Sequence, residues 1–239
     1  MKIIFLNAWD GKMKENLTEF LREQLSDTDI FCLQETYRDS VSLWQSTFVN
    51  HRNITADKCI VSDEDFAQSI YIRGDMKVLS SQTLFDREKG CGLGIYLEME
   101  YKGKILHICN FHGVAFPGDK LDTPNRLKQS ERLIDFMREK NGPKIIGGDF
   151  NLLPNTRSVK MFEEFGYRNL IEDFDIKMTR NHLVWDRFQG KRQYYADYVF
   201  VSQDVQVENF SVIDNEVSDH LPLILEITDI HPILQALVR

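Results

Sequence analysis

Short apolar runs recur along the chain, and most of them end in a polar residue or a turn. Runs of this length predict β-strands, which we expect at Lys2–Asn7, Ile30–Glu35, Ala67–Ile72, Lys77–Phe85, Gly92–Tyr101, Lys104–His112, Lys144–Asp149, Tyr195–Val201, Gln206–Ile213 and Leu221–Thr228. Because Ile30–Glu35 is apolar almost throughout, we expect both of its faces to be covered. Lys102 and Gly103 separate two of the runs and predict a tight turn.

Amphipathic stretches with apolar residues at helical spacing predict several helices. We expect them at Lys12–Leu25, Ser40–Phe48, Thr123–Lys140 and Ser158–Phe165. Thr123 followed by Pro124 is typical of a helix start. Because the predicted strands outnumber the helices, and the helices fall into two groups along the chain, we expect two packed sheets with helices outside.

The bulk composition is that of a folded protein, with 42% hydrophobic and 28% charged residues in a chain of 239. We therefore expect one domain that covers residues 1–239. The formal net charge of −8 argues against a basic surface built for nonspecific duplex binding. It does not exclude a nucleic acid, because a bound divalent cation and a few local arginines would offset the negative field.

Cysteine usage and apolar run length bear on the compartment. The four cysteines form no C-x-x-C pair, and Cys32 and Cys109 lie inside apolar runs, where a free thiol acts as a small core residue. The apolar stretch after Met1 is too short for a secretory signal, and no run is long enough to span a membrane. We expect a cytoplasmic protein without an obligate protein partner.

Polar side chains that can bind a metal ion or a phosphate group accompany five of the apolar runs. The segments are Leu6–Trp9, Leu33–Thr36, Asn110–Gly113, Gly147–Asn151 and Ser218–Pro222. Together they offer carboxylates, carboxamides and imidazoles, which are groups that bind metal ions and phosphate oxygens. Five such segments indicate a site that is assembled from distant parts of the chain, as a metal-dependent phosphoesterase requires.

Each segment taken alone has an ordinary structural explanation. A lone Glu35 would be a surface residue at a strand end, and a lone Asn7 would begin a turn. The segment Gly147–Asn151 fits a glycine–aspartate turn equally well. It also fits a site, because Asp149 and Asn151 are two residues apart in an extended segment and point to the same side.

Two histidines and one aspartate complete the predicted chemistry. His112 and His220 lie beside other polar residues at strand ends and are suited to phosphate contact or proton transfer. Asp197 lies in an apolar run and needs a partner, and His220 is the natural one, giving a base and the group that orients it. We expect the other histidines to be surface or core residues: His51, His107, His182 and His231.

In this order, the segments resemble the endonuclease/exonuclease/phosphatase superfamily, which has the DNase I-like fold. The resemblance extends from Asn7 to His220, and its most specific motif is S-D-H-L-P preceded by D-Y-V-F. It implies an α/β fold, namely a four-layer α/β/β/α sandwich in which two mixed β-sheets pack face to face with helices outside. It also implies Mg²⁺- or Mn²⁺-dependent hydrolysis of phosphate esters by an activated water molecule.

The resemblance further implies which residues would bind the metal ion. Glu35 resembles the principal metal ligand of the family. Asn7 and Asp219 resemble additional metal contacts. The resemblance leaves open whether one or two ions bind.

The same resemblance implies roles in catalysis. Asp149 would position and activate the attacking water, with Asn151 beside it. His112 would contact the scissile phosphate. His220, oriented by Asp197, would stabilise the transition state or transfer protons. Loss of catalysis in a binding protein of this fold would normally remove one of these groups, and all are present.

The substrate is less well determined by the motifs. Asn110-Phe111-His112 has the form found in DNase I, sphingomyelinases, deadenylases and tyrosyl-DNA phosphodiesterases, whereas L-Q-E resembles exonuclease III. We predict substrate contacts for Asn110, Trp185 and Arg192, because aromatic and basic residues gather before Asp197. Nucleic acid is the first predicted substrate, and a small phosphorylated metabolite, nucleotide or lipid headgroup is the alternative. Packing of Trp185 within its own loop explains that segment equally well.

Overall fold

A computed structural model describes residues 1–37, 40–58, 66–86, 88–187 and 192–230. Its strands are β1 (Lys2–Asn7), β2 (Ile30–Gln34), β3 (His51–Lys58), β4 (Phe66–Arg73), β5 (Val78–Leu84), β6 (Leu93–Tyr101), β7 (Lys104–His112), β8 (Lys144–Asp149), β9 (Arg168–Asn169), β10 (Asp197–Val201), β11 (Val205–Val212) and β12 (Leu223–Ile230). Its helices are α1 (Lys14–Gln24), α2 (Val41–Thr47), α3 (Pro124–Arg138), α4 (Arg157–Glu164), α5 (Leu170–Asp173) and α6 (His182–Arg187), with a 3₁₀ turn at Trp9–Gly11.

The strands form two mixed sheets of six strands each. The first sheet has the order β11-β12-β1-β2-β4-β3, and the second has the order β5-β6-β7-β8-β10-β9. β1 and β2 are parallel in the first sheet, and β7 and β8 are parallel in the second. The other pairs are antiparallel. The prediction of two mixed sheets with helices is confirmed.

Strand β1 contributes to two cores at once. Ile3 and Phe5 belong to a core that is shared with the second sheet, whereas Ile4 and Leu6 belong to the core beneath α1 and α2. Successive strand residues point to opposite faces, so a run that is apolar throughout fits a sheet covered on both sides. β2 is likewise buried from Ile30 to Gln34, as its apolar sequence predicts.

Helices cover the two sheets from outside. Leu17 and Phe20 of α1 pack against the first sheet, while Leu133 of α3 and Phe162 of α4 join the core of the second. α3 begins as predicted, because the Thr123 hydroxyl accepts a hydrogen bond of 3.2 Å from the backbone N–H of Arg126. Over the ranges that the structure describes, no helix is both long and apolar enough to cross a membrane.

The predicted turn between β6 and β7 is confirmed. Tyr101 pairs with Lys104, and the two residues between them have φ angles of 51° (Lys102) and 75° (Gly103). Left-handed conformations at both central positions match the right-handed twist of the strands in a two-residue hairpin.

Several features differ from the predictions, among them the short elements β9, α5 and α6, which were not predicted. β3 was not predicted, because His51–Lys58 is rich in polar residues and forms an edge strand whose side chains are largely exposed or half-buried. Asp197 is the first residue of β10 rather than an interior one, so it lies at the end of a strand. Residue His231 falls outside the described ranges.

Candidate active site

Most of the predicted site residues lie where strands of both sheets end. Asn7 ends β1, and it is paired with Gln34 at the end of the parallel strand β2. His112 ends β7 and is paired with Asp149 at the end of the parallel strand β8. β10 runs antiparallel to β8, so its first residue, Asp197, is paired with Asp149. The strand pairing therefore brings carboxylates and an imidazole to one edge of the sandwich.

Asn7 connects the two sheets at this edge. Its Nδ2 donates hydrogen bonds of 3.0 Å to Glu35 Oε1 and 3.0 Å to Asp149 Oδ2. Its Oδ1 accepts from the backbone N–H of Trp9 at 3.0 Å. The carboxamide is almost completely buried, so it fixes the separation between a carboxylate of the first sheet and a carboxylate of the second.

Glu35 leaves β2 in an unusual backbone conformation. Its φ angle is 53°, which lies in the left-handed region that non-glycine residues seldom adopt. The backbone N–H of Asp10 donates to the Glu35 carbonyl at 3.0 Å, so the 3₁₀ turn after β1 stabilises this bend. Unlike Asn7 and Asp149, Glu35 remains half-buried and accessible from the site.

Asp149 is the centre of the cluster. Its Oδ2 lies 3.8 Å from His112 Nε2 and 3.7 Å from His220 Nε2, and its Oδ1 accepts a hydrogen bond of 2.8 Å from the backbone N–H of Asn151. Burial by itself would raise the pKa of Asp149, but the positive charges of His220 and Lys120 outweigh it and hold the pKa well below its usual range. Asp149 is therefore ionised at neutral pH.

His220 and Asp197 form the predicted pair. His220 Nδ1 lies 2.9 Å from both carboxylate oxygens of Asp197, and the Thr179 hydroxyl donates to Asp197 Oδ2 at 2.8 Å. Burial lowers the pKa of His220, but the charges of Asp197 and Asp149 raise it to about 9. Because ionised Asp197 cannot donate, His220 Nδ1 carries a proton, and Nε2 faces Asp149.

Asn151 lies beside Asp149 but is held by other groups. Its φ angle is 55°, and its Nδ2 donates to the Gly113 carbonyl at 3.1 Å. Its Oδ1 accepts a hydrogen bond from Lys120 Nζ. The side chain is thus oriented by two loops of the second sheet.

Asp219 is buried next to His220, with 8% of its surface exposed. The Ser218 hydroxyl donates to its Oδ1 at 3.4 Å. In the part of the chain that the structure describes, no hydrogen bond joins Asp219 to Glu35 or Asn7, so its predicted role in metal binding remains a prediction.

Asn110 is not brought to the cluster. Its side chain has 0% exposure, and Nδ2 donates to the carbonyls of Leu33 at 3.1 Å and Ser69 at 3.2 Å. Its Oδ1 accepts from Gln34 Nε2. These contacts join the two sheets beneath the site and leave no polar atom of Asn110 directed outward, so a substrate contact there finds no support in its placement.

Trp185 and Arg192 lie in one aromatic cluster. The Trp185 and Tyr194 rings are 5.4 Å apart, and the Arg192 guanidinium lies 5.6 Å from the centre of the Trp185 ring. Tyr194 is 41% exposed. The contacts are those of a loop that packs on itself, and residues 188–191 of that segment lie outside the described ranges.

Comparison with known families identifies the chain. The sequence model described as the Endonuclease/Exonuclease/phosphatase family matches residues 7–220. These bounds are the first and last residues of the site just described, and they include most of the chain. The chain belongs to the endonuclease/exonuclease/phosphatase family.

Solved structures of the endonuclease/exonuclease/phosphatase fold are similar to this chain over nearly all of its length. A family protein from Bacteroides vulgatus is 15% identical, with a TM-score of 0.75 over 95% of this chain and 98% of that one. The mannosyl-6-phosphatase from Bacteroides thetaiotaomicron is 16% identical, with a TM-score of 0.72 over 95% and 99%. Truncated TDP2 from Caenorhabditis elegans is 18% identical, with a TM-score of 0.68 over 95% and 96%. Comparison with curated proteins gave no match.

Members of the endonuclease/exonuclease/phosphatase family are hydrolases of phosphate esters that depend on a divalent metal ion. The residues present fit such an ion. Asn7 Nδ2 lies 3.0 Å from a carboxylate oxygen of Glu35 and 3.0 Å from one of Asp149, so carboxylate oxygens of both sheets converge at this position. Converging carboxylate oxygens suit a hard cation.

A second group of ligand atoms is closer together but less suited to an ion. Atoms of Asp149, Asp197 and His220 lie within 4.8 Å of one another. His220 Nδ1 already contacts both oxygens of Asp197. His220 and Asp197 therefore form an ion pair, and Asp149 is the anion beside it. We therefore favour the Asn7–Glu35 side of Asp149 for the metal.

The site of this family member includes residues that the motifs did not reveal. Lys120 and Arg180 are buried in it, with 5% and 7% exposure, and Thr179 holds Asp197. Lys120 and Arg180 come from loops with no preceding apolar run, so the strand-end pattern carries no signal for them. The sequence did not predict a role for Thr179 either, because a single hydroxyl in a loop has many ordinary structural explanations.

Proposed function

We propose that this chain hydrolyses phosphate esters by attack of a water molecule that Asp149 orients. One observation carries the proposal: the ionised Asp149 carboxylate is reached at once by Asn7, His112 and His220, which come from both sheets. An anionic acceptor surrounded by donors can hold a water molecule in line with a phosphorus atom. Such positioning accounts for much of the catalysis in phosphoryl transfer.

Glu35 and Asn7 would hold the divalent ion, with Asp219 as a further ligand. When bound, Mg²⁺ or Mn²⁺ would polarise the phosphoryl oxygen and offset the negative charge that develops on it. Asp149 borders this position, so the same carboxylate is placed to orient the water.

His220 and His112 supply the complementary donors. Asp197 holds His220 Nδ1 at 2.9 Å, which leaves Nε2–H as a donor that faces the reacting oxygens. His112 Nε2 approaches the same carboxylate oxygen from β7. As the bond from the water oxygen to phosphorus forms, the bond to the ester oxygen breaks. The water releases one proton, to Asp149 or to solvent, and the ester oxygen leaves with one proton that His220 Nε2–H supplies. His220 is the group placed to donate to the charged phosphoryl oxygens.

Nucleic acid is the first proposed substrate class. The support is the cluster of Trp185, Tyr194 and Arg192, because aromatic rings stack on bases and guanidinium groups bind phosphate. A small phosphorylated molecule is the second class. It is favoured by the buried cations Lys120 and Arg180 and by the net charge of −8, which is unfavourable for a long polyanion.

We also propose a single domain in the cytoplasm, without an obligate partner. Both sheets contribute to one site, which supports a single functional unit. The described cysteines Cys32, Cys91 and Cys109 are free and buried, as is usual in a reducing compartment.

The test is an assay of purified protein with Mg²⁺ or Mn²⁺ against single- and double-stranded DNA, RNA, 5′-tyrosyl DNA and small phosphoesters. Glu35→Ala should lower kcat/KM by about 1000-fold on the true substrate, since a metal contributes several kcal/mol of transition-state stabilisation. Glu15→Ala, on the exposed side of α1, is the matched control and should change nothing. Full turnover by both Glu35→Ala and Asp149→Asn would reject the proposed function.

A further inference from the structure

Two buried cations lie beside the catalytic cluster with no carboxylate at ion-pair distance in the described part of the chain, although the charges of Asp149 and Asp197 act on Lys120 from further away. Lys120 Nζ donates to Asn151 Oδ1, and Arg180 Nη1 donates to Gln193 Oε1 at 3.3 Å. Both acceptors are neutral carboxamides. Among the residues that the structure describes, neither cation forms an ion pair, although Lys120 is only 5% exposed and Arg180 only 7%.

This arrangement is unfavourable in the protein alone. Burying a charge costs free energy unless an opposite charge or several hydrogen bonds compensate it. Arg180 Nε is buried and has no hydrogen-bond partner within the described ranges, and the Lys120 ammonium uses one of its three donors on Asn151. The two cations therefore have hydrogen-bond donors to spare, which a group with several anionic acceptor oxygens would satisfy.

Both cations are held at the reacting groups by local structure. Arg180 pairs with His220 through an isolated backbone bridge, so the two side chains leave the chain on the same face. The backbone of Lys120 has a left-handed φ of 59°, and its side chain contacts Asn151 through Nζ. Gln193 joins the two loops, because its Nε2 donates to the Gly118 carbonyl at 2.7 Å while its Oε1 accepts from Arg180.

The loop that carries Lys120 is fixed by a different buried cation. The Arg126 guanidinium, at 0% exposure, donates to four carbonyls of that loop: Val114, Ala115, Pro117 and Leu121. It also lies 3.3 Å from Asp119 Oδ1. Arg126 is thus saturated by protein groups, whereas Lys120 and Arg180 are not. The loop is rigidly built, and the cation that it presents to the site has donors to spare.

We propose that Lys120 and Arg180 form a subsite for a phosphate group that carries two negative charges, that is, a phosphate monoester. The inference rests on the proposed function and narrows it: the scissile phosphate is terminal. A diester carries one negative charge and has fewer anionic oxygens to accept from the spare donors of the two cations. The monoester group belongs either to a small molecule or to the phosphorylated end of a nucleic acid, and the chemistry of recognition is the same in both.

The first experiment measures binding without turnover. The full chain is titrated by calorimetry, without divalent metal, with inorganic phosphate and with dimethyl phosphate, which has a single charge. Phosphate should bind at least about 10-fold more tightly, and Lys120→Gln or Arg180→Gln should each weaken it by about 10-fold or more, as loss of one charged hydrogen bond implies. The exposed, ion-paired Lys77→Gln and Arg157→Gln are the controls and should match the wild type. Equal affinity for the two anions, or variants that bind phosphate normally, would overturn the subsite.

A stability measurement separates a binding role from a structural one. Phosphate should raise the unfolding midpoint of the wild type but not of Lys120→Gln or Arg180→Gln, because a ligand stabilises only the state that binds it. Without phosphate, each variant should unfold near the wild-type midpoint, because each buried cation has only one side-chain hydrogen bond among the described residues, to a neutral carboxamide, and its removal relieves the cost of burying its charge. Variants that unfold much earlier in the absence of ligand would show that the cations support the fold, which contradicts the proposal.

The activity experiment identifies the source of the phosphate group. With Mg²⁺, p-nitrophenyl phosphate is compared with bis(p-nitrophenyl) phosphate, and a 5′-phosphorylated oligonucleotide with its 5′-hydroxyl form. Lys120→Gln should lower kcat/KM by about 10-fold or more on the monoester member of whichever pair is turned over. Preferred turnover of the diester or of the 5′-hydroxyl form would overturn the inference. Tight phosphate binding without any turnover would retain the subsite and reject the proposed hydrolysis instead.

Discussion

His220 and His107 are both buried histidines bound through Nδ1, yet their pKa values move in opposite directions. His220 is 5% exposed and His107 is 3% exposed. The pKa of His220 is raised to about 9, whereas the pKa of His107 is lowered. The same side chain at the same depth is therefore charged in one place and neutral in the other at neutral pH.

The partners account for the difference. Burial lowers both pKa values, because it penalises the charged imidazolium. At His107 the hydrogen-bond partners are neutral: Tyr96 Oη lies 2.7 Å from Nδ1, and the Asn141 carbonyl lies 3.0 Å from Nε2. The Glu98 carboxylate lies 4.0 Å from Nδ1, and its effect is smaller than that of burial. At His220 two carboxylates reverse the effect of burial. A charged partner, rather than depth, decides whether a buried histidine acts as a cation.

The largest effect should follow from removing the charged histidine. His220→Gln should lower kcat/KM by at least about 1000-fold on the substrate found in the assay, because the donor to the phosphoryl oxygens and its charge are lost together. His107→Gln, at a similar depth in β7, should stay within about 3-fold of the wild type. Steady-state kinetics of the two variants check this, and similar losses in both would show a general effect of core substitution.

Removing only the partner charge should have a smaller effect. Asp197→Asn keeps the size of the side chain and the hydrogen bond from Thr179 but takes away the charge that orients and stabilises the imidazolium. We expect kcat/KM to fall by about 100-fold or more, with the fold retained. Circular dichroism confirms the fold. If the kinetics matched the wild type, the paired arrangement of His220 and Asp197 would have no catalytic role.

The smallest effect concerns stability and pH at His107. Its folded-state pKa lies below the unfolded value of about 6.5, so below that pH the unfolded chain takes up a proton that the folded chain does not. The contribution to stability is complete above about pH 6.5 and is lost as the pH falls from there through the lowered folded-state pKa. The ionisable groups around the ring are Tyr96, Glu98, Lys140 and Lys144.

Urea unfolding at pH 7.5 and pH 5.5 measures this contribution. His107→Gln should lower the free energy of unfolding more at pH 7.5 than at pH 5.5, because the contribution of His107 is complete only at the higher pH. The comparison with the wild type is made at each pH, because His220, whose pKa is raised to about 9, stabilises the folded state increasingly as the pH falls from about 9 to 6.5. An equal loss at both pH values would show that the pKa of His107 is not lowered in the folded state.

The sequence predicted the chemistry that lies at strand ends. Apolar runs indicated where β1, β7 and β8 end, and those ends carry Asn7, His112 and Asp149, of which the first two each approach Asp149. The pairing of Asp197 with His220 was predicted from the cost of an unpaired buried carboxylate, and the structure shows that pair. These predictions succeeded because strand period and charge burial are local signals in a single chain.

Contacts that loops create were beyond such signals. Lys120, Arg180 and Gln193 are ordinary polar residues in their own segments, and only the folded arrangement brings them together. Asn110 shows the converse: its motif predicted a substrate contact, but the structure uses its side chain between the sheets. A motif identifies the residue type at a position and does not say in which direction its polar atoms point.

The close contact between the two sheets limits which substitutions the interior of this enzyme can accept. At Gly147 a Cβ atom would come within 2.6 Å of the Phe5 ring of the opposite sheet. Two residues further along each of these strands, Asn7 and Asp149 make their 3.0 Å contact. Packing between the sheets therefore sets the spacing of the active-site groups. A methyl group added at Gly147 would push the sheets apart and lengthen the contact between Asn7 and Asp149. The residues that can occupy the interior around Gly147 are therefore limited by the spacing of the reacting groups.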